Sequence, residues 1–185
     1  MIETERLIIR PWREADKAPF AVMNGDPAVM EFMPSRLTPK QSDAMIERFG
    51  AMLEMKGMTF YALEERASGQ FLGAAGLFPV TQLPFAPAVE VGWRLRRQSW
   101  GQGYASEAAR AALAEGFGPL GLDEIVAYTA APNVRSQRVM ERIGVRRDAD
   151  GDFDHPALPE DSPLRTHVLY RLGRSRWAAE PRDSA

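Results

Sequence analysis

Residues 96–105 read Arg96-Arg97-Gln98-Ser99-Trp100-Gly101-Gln102-Gly103-Tyr104-Ala105 and stand between two strongly patterned segments. Before them, Val89, Val91, Trp93 and Leu95 alternate with Glu90, Gly92, Arg94 and Arg96, a period of two that predicts a strand over 88–96 with one apolar and one polar face. After them, Ala105, Ala108, Ala109, Ala112, Leu113, Gly116 and Phe117 recur at the helical period. That stripe is mostly alanine, so the helix axis can lie close to the sheet it covers. Gly101 and Gly103 permit a sharp turn between the two and leave successive N–H groups facing one concavity at a helix N-terminus. The helix dipole adds about half a unit of positive charge there. A diphosphate fits such a turn, with Arg96 and Arg97 as mobile charge around it.

The same glycines would serve a plain strand-to-helix turn. A dinucleotide fold is also to be weighed, because Asp123 lies 20 residues past Gly103. Two features count against it: Ser106 replaces the third small residue, and Asp123 precedes its strand instead of ending it.

Outward from this segment, a strand over 5–10 stops at Pro11, and 13–24 is a weak helix candidate. A helix from Pro39 carries Met45, Phe49, Met52, Leu53 and a snorkelling Lys56 on one face and is punctuated by Gly57. Residues 58–63 and 70–78 form a hairpin about Ser68-Gly69, and the proline-rich link 79–88 leads into the central strand. Glu124 to Ala130 reads as a strand. Asn133 caps a helix through about Ile143, with Gly144 at its C-terminal end. A polar loop, a last strand over 166–172 and a fraying polar tail over 174–185 complete the chain. Helices alternate with strands only in the middle, so the expectation is one α/β (α+β) domain over 1–173. Its sheet is mixed and covered by helices.

Composition narrows the chemistry. The 185 residues include no cysteine, which excludes a disulfide framework, a thiolate metal site and a Cys nucleophile, and makes the cytoplasm the simplest residence. With only His155 and His167, no metal centre is expected. A net charge of −2 argues against a nucleic-acid partner. The N-terminus lacks a basic-then-apolar leader and no apolar run is long enough to span a bilayer, so the chain reads as neither secreted nor membrane-embedded.

Gln98-Ser99-Trp100-Gly101-Gln102-Gly103-Tyr104-Ala105 resembles the acetyl-coenzyme A signature of the GCN5-related N-acetyltransferases (GNAT). A second block, Asn133-Val134-Arg135-Ser136 through Ile143-Gly144-Val145, is similar to the branch that acetylates ribosomal-protein N-termini. So are Thr4-Glu5-Arg6-Leu7 and His167-Val168-Leu169-Tyr170-Arg171-Leu172. One departure is Val145, where the family usually has an aromatic.

The resemblance implies a twisted, mostly antiparallel sheet of about six or seven strands, splayed between two neighbours to admit acetyl-coenzyme A. It places the diphosphate on the turn formed by Gln98, Gly101, Gln102, Gly103, Tyr104 and Ala105, and gives pantetheine contacts to the backbone of Trp93, Arg94 and Leu95. An amine then attacks the thioester directly, with no covalent enzyme intermediate. Glu90 is the candidate base, directly or through water, and an N–H near Val91 or Gly92 the oxyanion donor. Glu90 is otherwise an exposed glutamate on a half-buried strand.

Asn133 contacts pantetheine in this reading, and Ser136 hydrogen-bonds or protonates the leaving thiolate. Both also read as a simple helix cap. Tyr104 is an alternative thiolate donor, though its place just inside the helix suits packing. Arg135, Arg138 and Arg142 form a basic face for nucleotide phosphates or for solvent. His167 is an acceptor-side base or a satisfied structural histidine. Six acidic residues between Arg147 and Arg165 form a loop that attracts a cationic amine, or is merely solvated.

The acceptor implied is a protein N-terminal α-amine or a small amine, and homodimers are common in the family. The competing function is a catalytically silent coenzyme A or acetyl-coenzyme A sensor.

Overall fold

Gly57 and Gly144 close the helices that the sequence predicts them to close. Thr38 forms a capping box with Gln41 at the start of one helix, and Gly57 closes it in the left-handed conformation at φ 68°. Gly144 closes another at φ 86°. The computed structural model describes residues 1–179. In chain order the elements are β1 (Ile2–Glu3), β2 (Leu7–Arg10), α1 (Lys17–Gly25), α2 (Pro39–Lys56), β3 (Phe60–Glu65), β4 (Phe71–Val80) and β5 (Ala88–Leu95). There follow α3 (Tyr104–Phe117), β6 (Glu124–Ala130), α4 (Val134–Arg142), β7 (Arg146–Asp154), β8 (Thr166–Gly173) and α5 (Arg174–Ala179).

The strands form one sheet in the order β1-β2-β3-β4-β5-β6-β8-β7. Every neighbouring pair is antiparallel except β5 and β6, which run parallel and share a single register pair, Glu90 with Val126. By contrast β5 pairs with β4 along its whole length, and β6 does so with β8. The sheet therefore parts beyond Glu90, and this parting positions the site.

α3 lies on one face, its Ala108, Ala109 and Ala112 packed with Leu77, Leu95 and Ile125. α4 joins that face through Met140 and Ile143. α1 and α2 cover the opposite face with Phe20, Met23, Ile46 and Phe49 against Ala62, Ala74 and Phe78. Val145 is fully buried in the α3 cluster, so the departure from an aromatic is a packing change.

Three expectations need correction. The sheet has eight strands, because Ile2–Glu3 adds an edge and the supposed polar loop contains β7. β7 is held by ion pairs, Arg171 Nε to Asp148 Oδ2 at 2.7 Å and Arg147 Nη2 to Asp152, and carries no apolar alternation. On α2 the buried residues are Ser42, Ile46 and Phe49. Met45 and Met52 pack half-buried against the same cluster and Lys56 is exposed, so the expected stripe is one flank of an inward face that Ser42 and Ile46 complete. The tail does not fray where it begins: α5 continues from β8 and Trp177 stacks on Phe117 at 5.6 Å. Residues 180–185 lie outside the described residues.

Candidate active site

Where β5 and β6 part, a pocket of about 650 Å³ runs between α2 on one face and α4 on the other. Cross-strand register places Glu90, Gly92 and Arg94 beside Phe78, Gly76 and Ala74, so the polar face of β5 is the pocket floor on the α1–α2 side.

Glu90 sits at the last paired position before the parting. Burial pushes its carboxyl up to about 7, against the pull of the Tyr128 hydroxyl that donates to it and of the Arg48 guanidinium on α2. The Tyr128 hydroxyl is itself pushed up by burial and by the carboxylate. A group that changes charge near neutral pH at the floor of a cleft has the properties a general base requires.

Across the parting, Asn133 caps α4 by accepting from the Ser136 N–H at 3.2 Å. Its Nδ2 donates to Thr129 Oγ1 at 2.9 Å and to Ser136 Oγ at 3.0 Å. Both Asn133 donors are therefore committed, and the Ser136 hydroxyl, acting as acceptor, keeps its own proton to give into the pocket.

The glycine turn lies at the open end of β5. Gly101 and Gly103 have φ of 74° and 84°, and a Cβ at Gly101 would meet nothing within 4 Å. Among the described residues, no N–H from Gly101 to Ala105 donates to a backbone or side-chain acceptor. A row of unpaired amides with open space before it, at the N-terminus of a 14-residue helix, fits a diphosphate.

The turn is clamped from the opposite end of the sequence. Arg6 donates from Nη1 to the Gln102 carbonyl at 2.8 Å and from Nε to Glu107 at 2.7 Å, and Thr4 Oγ1 donates to the same carboxylate at 2.5 Å. That clamp is the physical content of the Thr4-Glu5-Arg6-Leu7 segment. Gln102 also donates from Nε2 to the Gln98 carbonyl at 2.9 Å, bracing the turn from within.

The cleft-facing backbone is narrower than expected. Arg96 donates its N–H to Leu72 O in β4, and a Cβ on Gly73 would collide with Arg94 O, so the even-numbered residues of β5 face β4. Trp93 and Leu95 point their backbone groups into the cleft, and the Leu95 carbonyl already accepts from Trp100 Nε1 at 2.9 Å. Arg94 thus offers the cleft no main-chain group, contrary to the expectation that it would.

Other side chains are also spent. Arg96 donates to Ser99 Oγ and Gln70 Oε1 and is not mobile charge. The Tyr104 ring is buried with Leu7 and Ile9, its hydroxyl donates to Glu65, and it lines no part of the pocket, which removes it as a thiolate donor.

Arg135 pairs with Glu31 at 2.5 Å and lies over the Trp100 ring at 4.6 Å, while Arg138 and Arg142 are exposed. His167 lines the pocket, its Nδ1 3.1 Å from Arg165 O and its ring 4.9 Å from that of His155; burial lowers both imidazoles, leaving them neutral at pH 7. In the acidic segment Asp148, Asp152 and Asp154 are each paired with an arginine, while Asp150, Glu160 and Asp161 are exposed.

Arg48 and Tyr128 were not read from the sequence as site residues. Tyr128 carried one usable signal, its place on the strand parallel to β5.

A parted sheet beside an amide-lined helix N-terminus, with a tunable carboxylate at the parting, defines an acyl-coenzyme A-dependent transferase. The acetyltransferase (GNAT) domain model matches residues 6–146, and the chain belongs to that family. It is an N-acetyltransferase, and acetyl-coenzyme A is its acetyl donor.

The YkkB protein of Bacillus subtilis (strain 168) is 31% identical over 77% of this chain and 83% of its own length. A GNAT-family acetyltransferase from Bacillus anthracis superposes with a TM-score of 0.78 at 26% identity, covering 94% of this chain and 98% of that one. The ribosomal-protein-S5-alanine acetyltransferase from Vibrio fischeri shares the fold with a TM-score of 0.75 at 19% identity, over 97% and 98% of the two chains.

Proposed function

We propose that this protein acetylates a primary amine by direct attack on the thioester, with Glu90 and Ser136 on opposite walls of the parting as its proton-handling groups. The observation that carries the reading is Glu90: a largely desolvated carboxyl, poised near 7, where the parallel strands β5 and β6 separate. Bound acetyl-coenzyme A supplies a thioester carbonyl to this pocket. The N–H groups of 101–105 hold the diphosphate, and the free main-chain groups of Trp93 hold the pantetheine.

Glu90 takes the proton that the attacking amine must lose, directly or through water. Ser136 Oγ hydrogen-bonds the departing sulfur on the α4 side; a proton it passes to that thiolate is replaced, through water, by the one Glu90 took from the amine, so coenzyme A leaves as the thiol and both side chains return to their starting states. Asn133 acts through Ser136, because its two donors fix the hydroxyl and its oxygen caps the helix. The cytoplasm is the compartment this chemistry fits best.

Calorimetric titration with acetyl-coenzyme A, and then with free coenzyme A, is the first test. Micromolar binding with a preference between the two supports the reading; a folded protein that binds neither overturns it. Because the chain has no cysteine, thiol release on adding amines is read without protein background.

Ser136→Ala is expected to lower kcat about 10- to 100-fold with little change in acetyl-coenzyme A affinity. Asn133→Ala should cost about 1 kcal/mol of stability as a lost cap, in addition to a kcat loss of similar size to that of Ser136→Ala. Steady-state kinetics and denaturant melts check both. An Asn133→Ala enzyme with full kcat would leave Asn133 as a cap alone.

A further inference from the structure

Arg94 is unexplained by the reading above. Its main chain faces β4, and its side chain extends under α1 and α2 into the pocket. There Nη1 donates to Asn24 Oδ1 at 2.8 Å, and its other polar neighbours are Met45 Sδ at 4.0 Å and Met33 Sδ at 3.7 Å. Among the described residues no carboxylate pairs with it, and burial alone lowers its pKa to about 10, so it stays charged at neutral pH. Arg10, the fully buried arginine, is treated quite differently. Arg10 is held by Asp16 through two hydrogen bonds, at 2.7 and 2.9 Å, and by Glu64 at 2.7 Å.

A half-buried guanidinium whose single oxygen partner is a neutral amide is costly to maintain, and a methionine like its neighbours would fill the space without that cost. The pocket as a whole has the same imbalance: Glu90 is the one carboxylate in its lining, against Arg48 and Arg94. Glu90 and Arg94 lie on one face of β5, with Cα atoms about 13 Å apart at the usual strand rise. Between them the lining presents Phe32, Met33 and Met45 from the α1–α2 side and Phe60 from β3, all half-buried.

We propose that Arg94, oriented by Asn24, is the carboxylate subsite of the acceptor pocket, and that the acceptor is a small amine carrying a carboxylate and an apolar body. The amine end rests on the transferase reading; the carboxylate end does not. The guanidinium presents several N–H groups beyond the one Asn24 engages, which suits a two-oxygen anion. A polycationic amine would bring like charge to a cation that no carboxylate neutralises.

Calorimetric titration of the coenzyme A-bound protein with L-amino acids and their carboxamides, matched pairwise, tests this without requiring turnover. At least one amino acid is expected to bind about tenfold or more tightly than its carboxamide. That preference should shrink to about twofold or less in Arg94→Gln and in Arg94→Met, the latter matching the sulfur-lined surroundings. Equal affinities within every pair overturn the proposal, as do no binding by any member and tighter binding of spermidine. So does a preference confined to a peptide with aspartate at its second position, which assigns the pocket to a protein N-terminus. A fall in coenzyme A affinity in Arg94→Gln that accounts for the whole effect also overturns it, by placing the guanidinium on the cofactor. Thiol release from acetyl-coenzyme A in the same mixtures reports separately on transfer. Carboxylate-selective binding with no release leaves the subsite standing and removes the tested amines as acetyl acceptors at Glu90.

Discussion

Glu90→Gln is expected to lower kcat by about 10²- to 10⁴-fold, the range for loss of a positioned general base, and to leave acetyl-coenzyme A affinity unchanged. The wild-type pH profile should rise below a limb near pH 7, because the carboxyl must be ionised to accept a proton and burial holds it at about 7. That limb should vanish in the variant.

Stability moves the opposite way. The folded-state pKa is raised above the ordinary carboxyl value of 4.5, so the folded protein holds this proton more tightly than the unfolded chain. The favourable contribution is complete below pH 4.5 and is lost as pH rises toward and through 7. At roughly 1.4 kcal/mol per pH unit, the loss is on the order of 3 kcal/mol. Glu90→Gln carries no such penalty, so its stability relative to wild type should improve between pH 4.5 and 7 and then level off. Denaturant melts at pH 4, 6 and 8 read the difference. A Glu90→Gln enzyme with the wild-type profile would take Glu90 out of the proton path, whereas a catalytically dead variant showing the stability gain would tie activity and burial to one carboxyl. A silent sensor, the competing function, tolerates the substitution.

The central strand, glycine turn and alanine-striped helix were legible because their signals are local. Periods of two and 3.6 are set by backbone geometry, and the turn needs φ values that glycine adopts freely. β7 was illegible for the converse reason. Arg146–Asp154 carries a single buried apolar side chain, Phe153, and is held by partners such as Arg171 on another strand, which no alternation records. Counting charges along the chain likewise could not tell Asp148, Asp152 and Asp154, which arginines neutralise in space, from the exposed Asp150, Glu160 and Asp161.

Arg94 shows the limit most clearly. Period-two alternation placed it with Glu90 on one face of β5, but which edge its main chain uses depends on β4. Only pairing with Leu72 and Gly73 decides that its side chain, and not its backbone, is what it brings to the pocket. Tyr128 and Arg48 reach Glu90 through tertiary packing alone.

Gly103→Val should abolish tight acetyl-coenzyme A binding. At φ 84° a β-branched residue is strained by roughly 1–3 kcal/mol, and the strain is relieved only by moving the turn that aims the amides. The new Cβ would also lie 3.3 Å from Arg6 Nη2, disturbing the clamp that joins Arg6 to Gln102 and Glu107. Each hydrogen bond to a charged group contributes about 1.5–3 kcal/mol. Losing two of them weakens binding about 10²- to 10⁴-fold, since 1.4 kcal/mol is tenfold.

Gly101→Ala separates strain from occupancy. Its φ of 74° imposes a similar but smaller strain, yet its Cβ enters open space and displaces no protein atom. If both variants lose about the same stability and only Gly103→Val loses the cofactor, the clamp sets the amide geometry. If Gly101→Ala loses it as well, the open side of the turn is where the diphosphate lies. A folded Gly103→Val protein with wild-type affinity by calorimetry would mean that the amides of 101–105 hold no phosphate, and that Gly103 is present for the turn alone.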